Sequence, residues 1–171
     1  TQLSLRSYYK KLGETAKADS MTMCVLLNKN TTNDAREYLM RQLISEQGEE
    51  NRDSIKVLSC FDAIQHSDCR SADIGLLQVA YMNMLKMPED SVVKVLENIL
   101  DFAPDNASAS LQLIGKAWEK DDMDRVLQLT SLSSQYNPDE MAFYYFEGMA
   151  LYKKEDNDGA LEAFKKGVSV I

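Results

Sequence analysis

The sequence predicts an all-α protein, a stack of antiparallel helical hairpins, and three observations lead to it. Seven Gly and three Pro in 171 residues are few, while Leu, Lys, Glu, Ala and Met abound, a bias toward helix and away from turn-rich β architecture. Pro104, in Ala103-Pro104-Asp105-Asn106, and Pro138, in Asn137-Pro138-Asp139-Glu140, lie 34 residues apart. Each reads as a helix stop followed by a helix start. The same step aligns Lys86 with Lys120 and Lys154, and Asp90 with Asp124 and Asp158. A lysine in the last turn of one helix and an aspartate in the first turn of the next each face the favourable end of a helix dipole.

Taken in order, residues 1–30 predict a helix or two, with Lys29 to Thr32 as connecting loop. Asn33 and Asp34 cap a helix from Ala35 to Gln47, and Asn51 to Asp53 open another running to about Gln65. Residues 1–72 are therefore divergent hairpins that continue the stack. Beyond them the 34-residue step sets three units at 73–106, 107–140 and 141–171. Their first helices fall at 73–86, 107–120 and 140–154, and their second at 89–102, 123–136 and 157–170. In the last unit Tyr144, Gly148, Leu151, Ala160, Phe164 and Gly167 have the spacing that lets two helices close, bulky residues as knobs and small ones where backbones approach.

From this point the segment resembles the tetratricopeptide repeat family. The small position of the first helix falls on Gly148, that of the second on Ala160, the late aromatic on Phe164 and the next small position on Gly167. The two preceding units keep the length and the proline but place Ile114 where Gly148 sits and Thr130 where Phe164 sits, and Glu147 replaces the leucine usual before the glycine. The resemblance implies a superhelix whose first helices line a concave face.

Composition narrows the chemistry. A net charge of -8, from 27 acidic and 19 basic residues, repels phosphate backbones, so nucleic acid is not an expected partner, and the run Arg6, Tyr8, Tyr9, Lys10, Lys11 reads as one amphipathic helix. Cys24, Cys60 and Cys69 are odd in number and irregular in spacing, which predicts free thiols rather than a disulfide framework. Cys60, His66 and Cys69 lack an evident fourth ligand, and His66 reads as a solvated histidine near a helix end. Gly115-Lys116 lacks the upstream glycine of a phosphate loop, and in Asp156-Asn157-Asp158-Gly159 lysines stand at two ligand positions of a calcium loop. No metal, cofactor or catalytic residue is assigned, and no apolar run reaches the ~20 residues of a membrane helix, so this segment is not expected to insert into a membrane.

The expected function is protein binding, as a scaffold holding a protein or peptide segment in the concave groove. Positions repeating at 34 on the inward side give Leu77, Leu111 and Tyr145; Tyr81, Gly115 and Met149; and Met84, Trp118 and Tyr152. Aromatic and Met side chains there are suitable anchors. The bland alternative is that this stripe fills the core, and the second functional class is an accessory region of a larger enzyme or sensor. Ile171 stands just before the place of a closing proline and the chain opens on Thr1 without a methionine, which predicts a piece of a longer repeat protein or one with a processed leader, and the degenerate repeats point to a bacterial origin. Leu161, Val168 and Ile171 would then lack a capping helix and support weak self-association. No residue fixes the compartment, with an exported setting favoured over a cytoplasmic one.

Overall fold

A computed structural model describes residues 1–47 and 51–171, and the side chains from Ser54 onward in the second stretch. The described residues form ten helices and no strand. They are α1 (Gln2–Lys11), α2 (Thr15–Leu27), α3 (Asn33–Glu46), α4 (Asn51–Gln65), α5 (Ala72–Met84), α6 (Glu89–Phe102), α7 (Ala107–Glu119), α8 (Met123–Tyr136), α9 (Met141–Lys153) and α10 (Asn157–Ser169). The chain divides into two compact units, Thr1–Lys86 and Met87–Ile171.

In the first unit α1 and α2 form a hairpin, and α2, α3, α4 and α5 gather round a core of Leu26, Met40, Phe61, Ile64 and Ile74, all sealed from solvent. Thr32, rather than Asn33 or Asp34, caps α3: its Oγ1 accepts from the Ala35 amide at 3.1 Å, and Asn33 and Asp34 already belong to the helix. The capping role expected of Asn51 to Asp53 lies outside the described side chains. The loop before α3 is gathered by Arg36, 2% exposed, whose guanidinium donates to the carbonyls of Leu26 (2.7 Å), Asn28 (3.0 Å) and Thr31 (2.9 Å) and to Asn33 Oδ1 (2.7 Å). A planar, permanently charged fork satisfies the end of α2 and the loop at once.

In the second unit α6 packs on α7, α7 on α8, α8 on α9 and α9 on α10. Val92, Leu96, Ile99, Ile114, Val126 and Phe143 form its driest layer. Each fully buried side chain of this kind contributes roughly 1.5–3 kcal/mol of hydrophobic transfer. The two proline junctions work as expected: α6 and α8 stop before Pro104 and Pro138, and Asn106 Oδ1 caps α7 by accepting from Ala109 N at 2.9 Å. Asp122 and Asp156 do the same for α8 and α10.

Close approach governs the last hairpin. A Cβ on Gly148 would stand 2.5 Å from Phe164 Cε1, so the glycine exists to seat that ring. In the preceding hairpin the same two positions hold Ile114 and Thr130, both fully buried. By position, the sizes are exchanged: a large residue stands where the glycine does and a small one where the ring does.

The α5 helix is one residue out of the 34-residue step. The amides of Lys86, Asp121 and Glu155 each donate, at 3.0 Å, to the carbonyls of Asn83, Trp118 and Tyr152 respectively, and the same three residues carry positive φ of 55°, 57° and 65°. These equivalent residues are 35 and then 34 apart. The α5–α6 turn, residues 85–88, holds one residue more than the α7–α8 turn, 120–122, or the α9–α10 turn, 154–156. Lys86 thus matches Asp121 and Glu155, and its alignment with Lys120 and Lys154 does not survive; the aspartate series Asp90, Asp124 and Asp158 does, each residue lying in a first turn.

Candidate protein-binding face

The extra residue rotates α5 relative to the expected row. Tyr81 is 2% exposed, lies tilted against Phe61 with ring centroids 6.2 Å apart and donates to Gln47 Oε1, while Leu77 packs against the same core. Tyr81 is therefore corrected from groove to core, because a slip of one residue on a helix turns a side chain by about 100°. Met84 is exposed at the end of α5, in the first unit.

In the second unit the predicted residues do come together. Leu111, Gly115 and Trp118 lie at i, i+4 and i+7 on α7, and Tyr145, Met149 and Tyr152 repeat that spacing on α9, so each set occupies one face of its helix. The two helices meet through Trp118 and Phe146, edge to face with centroids 6.2 Å apart. Phe146 also meets Tyr145 edge to face at 5.5 Å, and Tyr145 leans on Phe164 at 6.3 Å. Tyr145 stays half exposed, Tyr152 is 63% exposed, and Leu111, Trp118 and Met149 are partly buried. A Cβ built on Gly115 would meet nothing within 4 Å, so the glycine leaves an open notch between Leu111 and Trp118.

Polar groups frame one end. Lys153 Nζ stands 4.7 Å from the Trp118 ring centre and 2.6 Å from Asp121 Oδ1, held by an aromatic face and a carboxylate together. Lys154 pairs with Asp124, and Lys116 and Lys120 both reach Glu89, at 3.8 and 3.4 Å. Glu119 and Glu155 are exposed at the same C-terminal ends of α7 and α9. Sequence reasoning passed over Phe146 and Lys153; the signal for both was a position one residue beside the chosen row, on the side where α7 and α9 meet.

The first unit has a separate cleft of about 410 Å³ between α1, α2, α3 and α4, walled by Met23, Leu43, Val57 and Cys60. Its charged groups answer one another: Glu46 takes Arg6 at 3.1 Å and Lys10 at 2.7 Å, and Lys56 takes Asp19 at 3.0 Å. Burial pushes the Glu46 carboxyl up, but the hydrogen bonds and charges of Lys10 and Arg6 outweigh it and hold the group below its ordinary range. Burial, with Asp19 nearby, pushes the Cys60 thiol up. Among the described residues no three His, Cys, Asp or Glu side chains are grouped to hold a metal, and His66 is exposed with Nδ1 on the Asp62 carbonyl. No helix among them is long and apolar enough to cross a membrane.

This arrangement is an all-α helical-repeat fold of the tetratricopeptide type. No family model matches the chain, and no curated protein sequence matches it. Solved structures do. A crystal structure of MamA matches with a TM-score of 0.59 at 14% identity, over 96% of this chain and 93% of that one. A MamA fragment from Desulfovibrio magneticus RS-1 gives 0.54 at 15% identity, over 99% and 92%. At such identity the likeness is one of fold.

Proposed function

We propose that the chain is a protein-binding scaffold that holds a segment of another protein against the α7–α9 face. The observation that carries this reading is the open notch at Gly115 between Leu111 and Trp118, beside the exposed rings of Tyr145 and Tyr152. A helix interior tolerates glycine only at a cost of roughly 1 kcal/mol, and no close neighbour requires this one. A partner's apolar side chain entering the notch would give it a purpose, in the manner of a helix or extended segment laid in a groove. Weak self-pairing through the exposed Leu161, Val168 and Ile171 belongs to the same reading.

The test separates binding from folding. Gly115→Leu fills the notch and favours helix, so it should keep or raise the melting temperature while weakening partner capture tenfold or more. Tyr152→Ala, at a ring that is mostly exposed, should weaken capture without a change in melting temperature. Trp118→Ala and Tyr145→Ala are poorer probes because their rings also brace Phe146 and Phe164. Unchanged capture by both Gly115→Leu and Tyr152→Ala would place the binding surface elsewhere.

A further inference from the structure

The charge of the protein is not shared between its units. Thr1–Lys86 carries eleven basic and eleven acidic side chains, and Met87–Ile171 carries eight basic and sixteen acidic. The whole formal charge of -8 therefore resides in the unit that bears the α7–α9 face. The lysines nearest that face are already engaged by carboxylates: Lys116 and Lys120 by Glu89, Lys153 by Asp121 and Lys154 by Asp124. What the surface offers an incoming chain is the remaining negative charge, reinforced by the carbonyl ends of α7 and α9, where Glu119 and Glu155 stand exposed. Trp118 already holds the Lys153 ammonium over its ring with Asp121 beside it, so the carboxylates left for an incoming cationic side chain are the exposed Glu119 and Glu155.

Resting on the binding reading above, we infer that the segment held on this face is basic and amphipathic: an apolar anchor enters the Gly115 notch while lysine or arginine side chains run along the carboxylate rim at the ends of α7 and α9. Both halves are needed. The notch supplies register, and the charge supplies the choice of partner and a faster encounter. An acidic segment with the same anchors would meet uncompensated like charge, and an anionic polymer such as nucleic acid would be repelled outright.

The experiment titrates the full chain with three synthetic peptides about four helical turns long, followed by the anisotropy of a dye on the peptide. One has leucines at i, i+4 spacing and lysines elsewhere; one has glutamates in place of the lysines; one keeps the lysines but has serines in place of the leucines. The lysine–leucine peptide should bind with a dissociation constant of roughly micromolar order and weaken as salt rises from about 50 to 500 mM. The glutamate and serine versions should bind at least ~10-fold more weakly. Glu119→Gln combined with Glu155→Gln should weaken the lysine–leucine peptide several-fold, and Gly115→Leu should weaken it ~10-fold or more.

Equal binding by the lysine–leucine and glutamate peptides would overturn the charge inference and leave the groove reading standing. Binding by neither would overturn both. Equal binding by the lysine–leucine and serine peptides, or indifference to Gly115→Leu, would show diffuse attraction to an acidic unit and overturn the inference as a site.

Discussion

Arg36 shows how much one side chain does for the first unit. Four hydrogen bonds from the guanidinium of this residue, which is 2% exposed, bind the end of α2, the following loop and the start of α3. Arg36→Lys keeps the charge but loses the fork, and should cost about 2–4 kcal/mol in denaturant unfolding, since carbonyls and a buried ammonium are left without partners. A change under ~0.5 kcal/mol would show that water replaces the fork. Glu46 offers a pH signature. Its folded pKa lies below the ordinary value, so its stabilising pairing is complete above the unfolded pKa, about 4.3, and is lost as pH falls through the folded one. Glu46→Gln should therefore be less stable than the parent at pH 7, with the difference vanishing in acid. Cysteine reactivity should follow environment: alkylation and mass mapping at pH 8 should find Cys24, exposed, modified before Cys60, whose thiol is held protonated by burial, and before buried Cys69.

At the scale of elements, the exchange of sizes between hairpins is testable as a coupling. Gly148→Ile alone drives a side chain into the Phe164 ring and should destabilise by about 3 kcal/mol or more. Added Phe164→Thr, copying the Ile114 and Thr130 pair, should recover at least ~1 kcal/mol, measured by a double-mutant cycle. Additive losses would mean that the two positions are not one packing decision. The turns give a second case. Glu155 holds a positive φ at the end of α9, and the amide of Asp156 bonds back to the Leu151 carbonyl at 2.9 Å, a closure that favours glycine at residue 155. Glu155→Gly should raise stability by roughly 0.5–1 kcal/mol.

These elements also explain what could be read in advance. Helix boundaries from α6 onward were legible to within a residue or so, because prolines, caps and the aspartate series repeat at one fixed step. The α5 register was not, because Lys86 happens to share a residue type with Lys120 and Lys154 while standing where Asp121 and Glu155 stand. Pro88 at the N-cap of α6, without a counterpart before α8 or α10, was the available sign of a longer turn. The cost of missing it was Tyr81, assigned to a groove and found in a core. Arg36 was invisible for another reason, since its acceptors are backbone carbonyls that leave no mark on residue types.

The whole molecule presents two units of different electrical character, and exposed apolar residues remain on α10 of the acidic one and just after it. Leu161, Val168 and Ile171 are 53%, 69% and 88% exposed, enough to predict concentration-dependent association. Light scattering should show mass above the monomer at high concentration, reduced by Val168→Glu; a constant monomer mass, indifferent to that change, would sink the idea. Higher salt should strengthen the association, since it screens the repulsion between two acidic units. The same change of conditions should weaken capture of a basic peptide, so the two activities are distinguishable by their opposite response to salt.

The protein contains one tryptophan, and Trp118 lies in the second unit under an ammonium group. Its emission is therefore a private channel. With excitation at the red edge of indole absorption, light from this protein comes from a single ring whose colour depends on Lys153, Phe146 and whatever lies against α7. An unfolding curve followed by that emission reports on Met87–Ile171, while far-ultraviolet ellipticity sums all the helices of the chain. Any separation between the two curves measures how independently the halves melt, without a label, a truncation or a mutation.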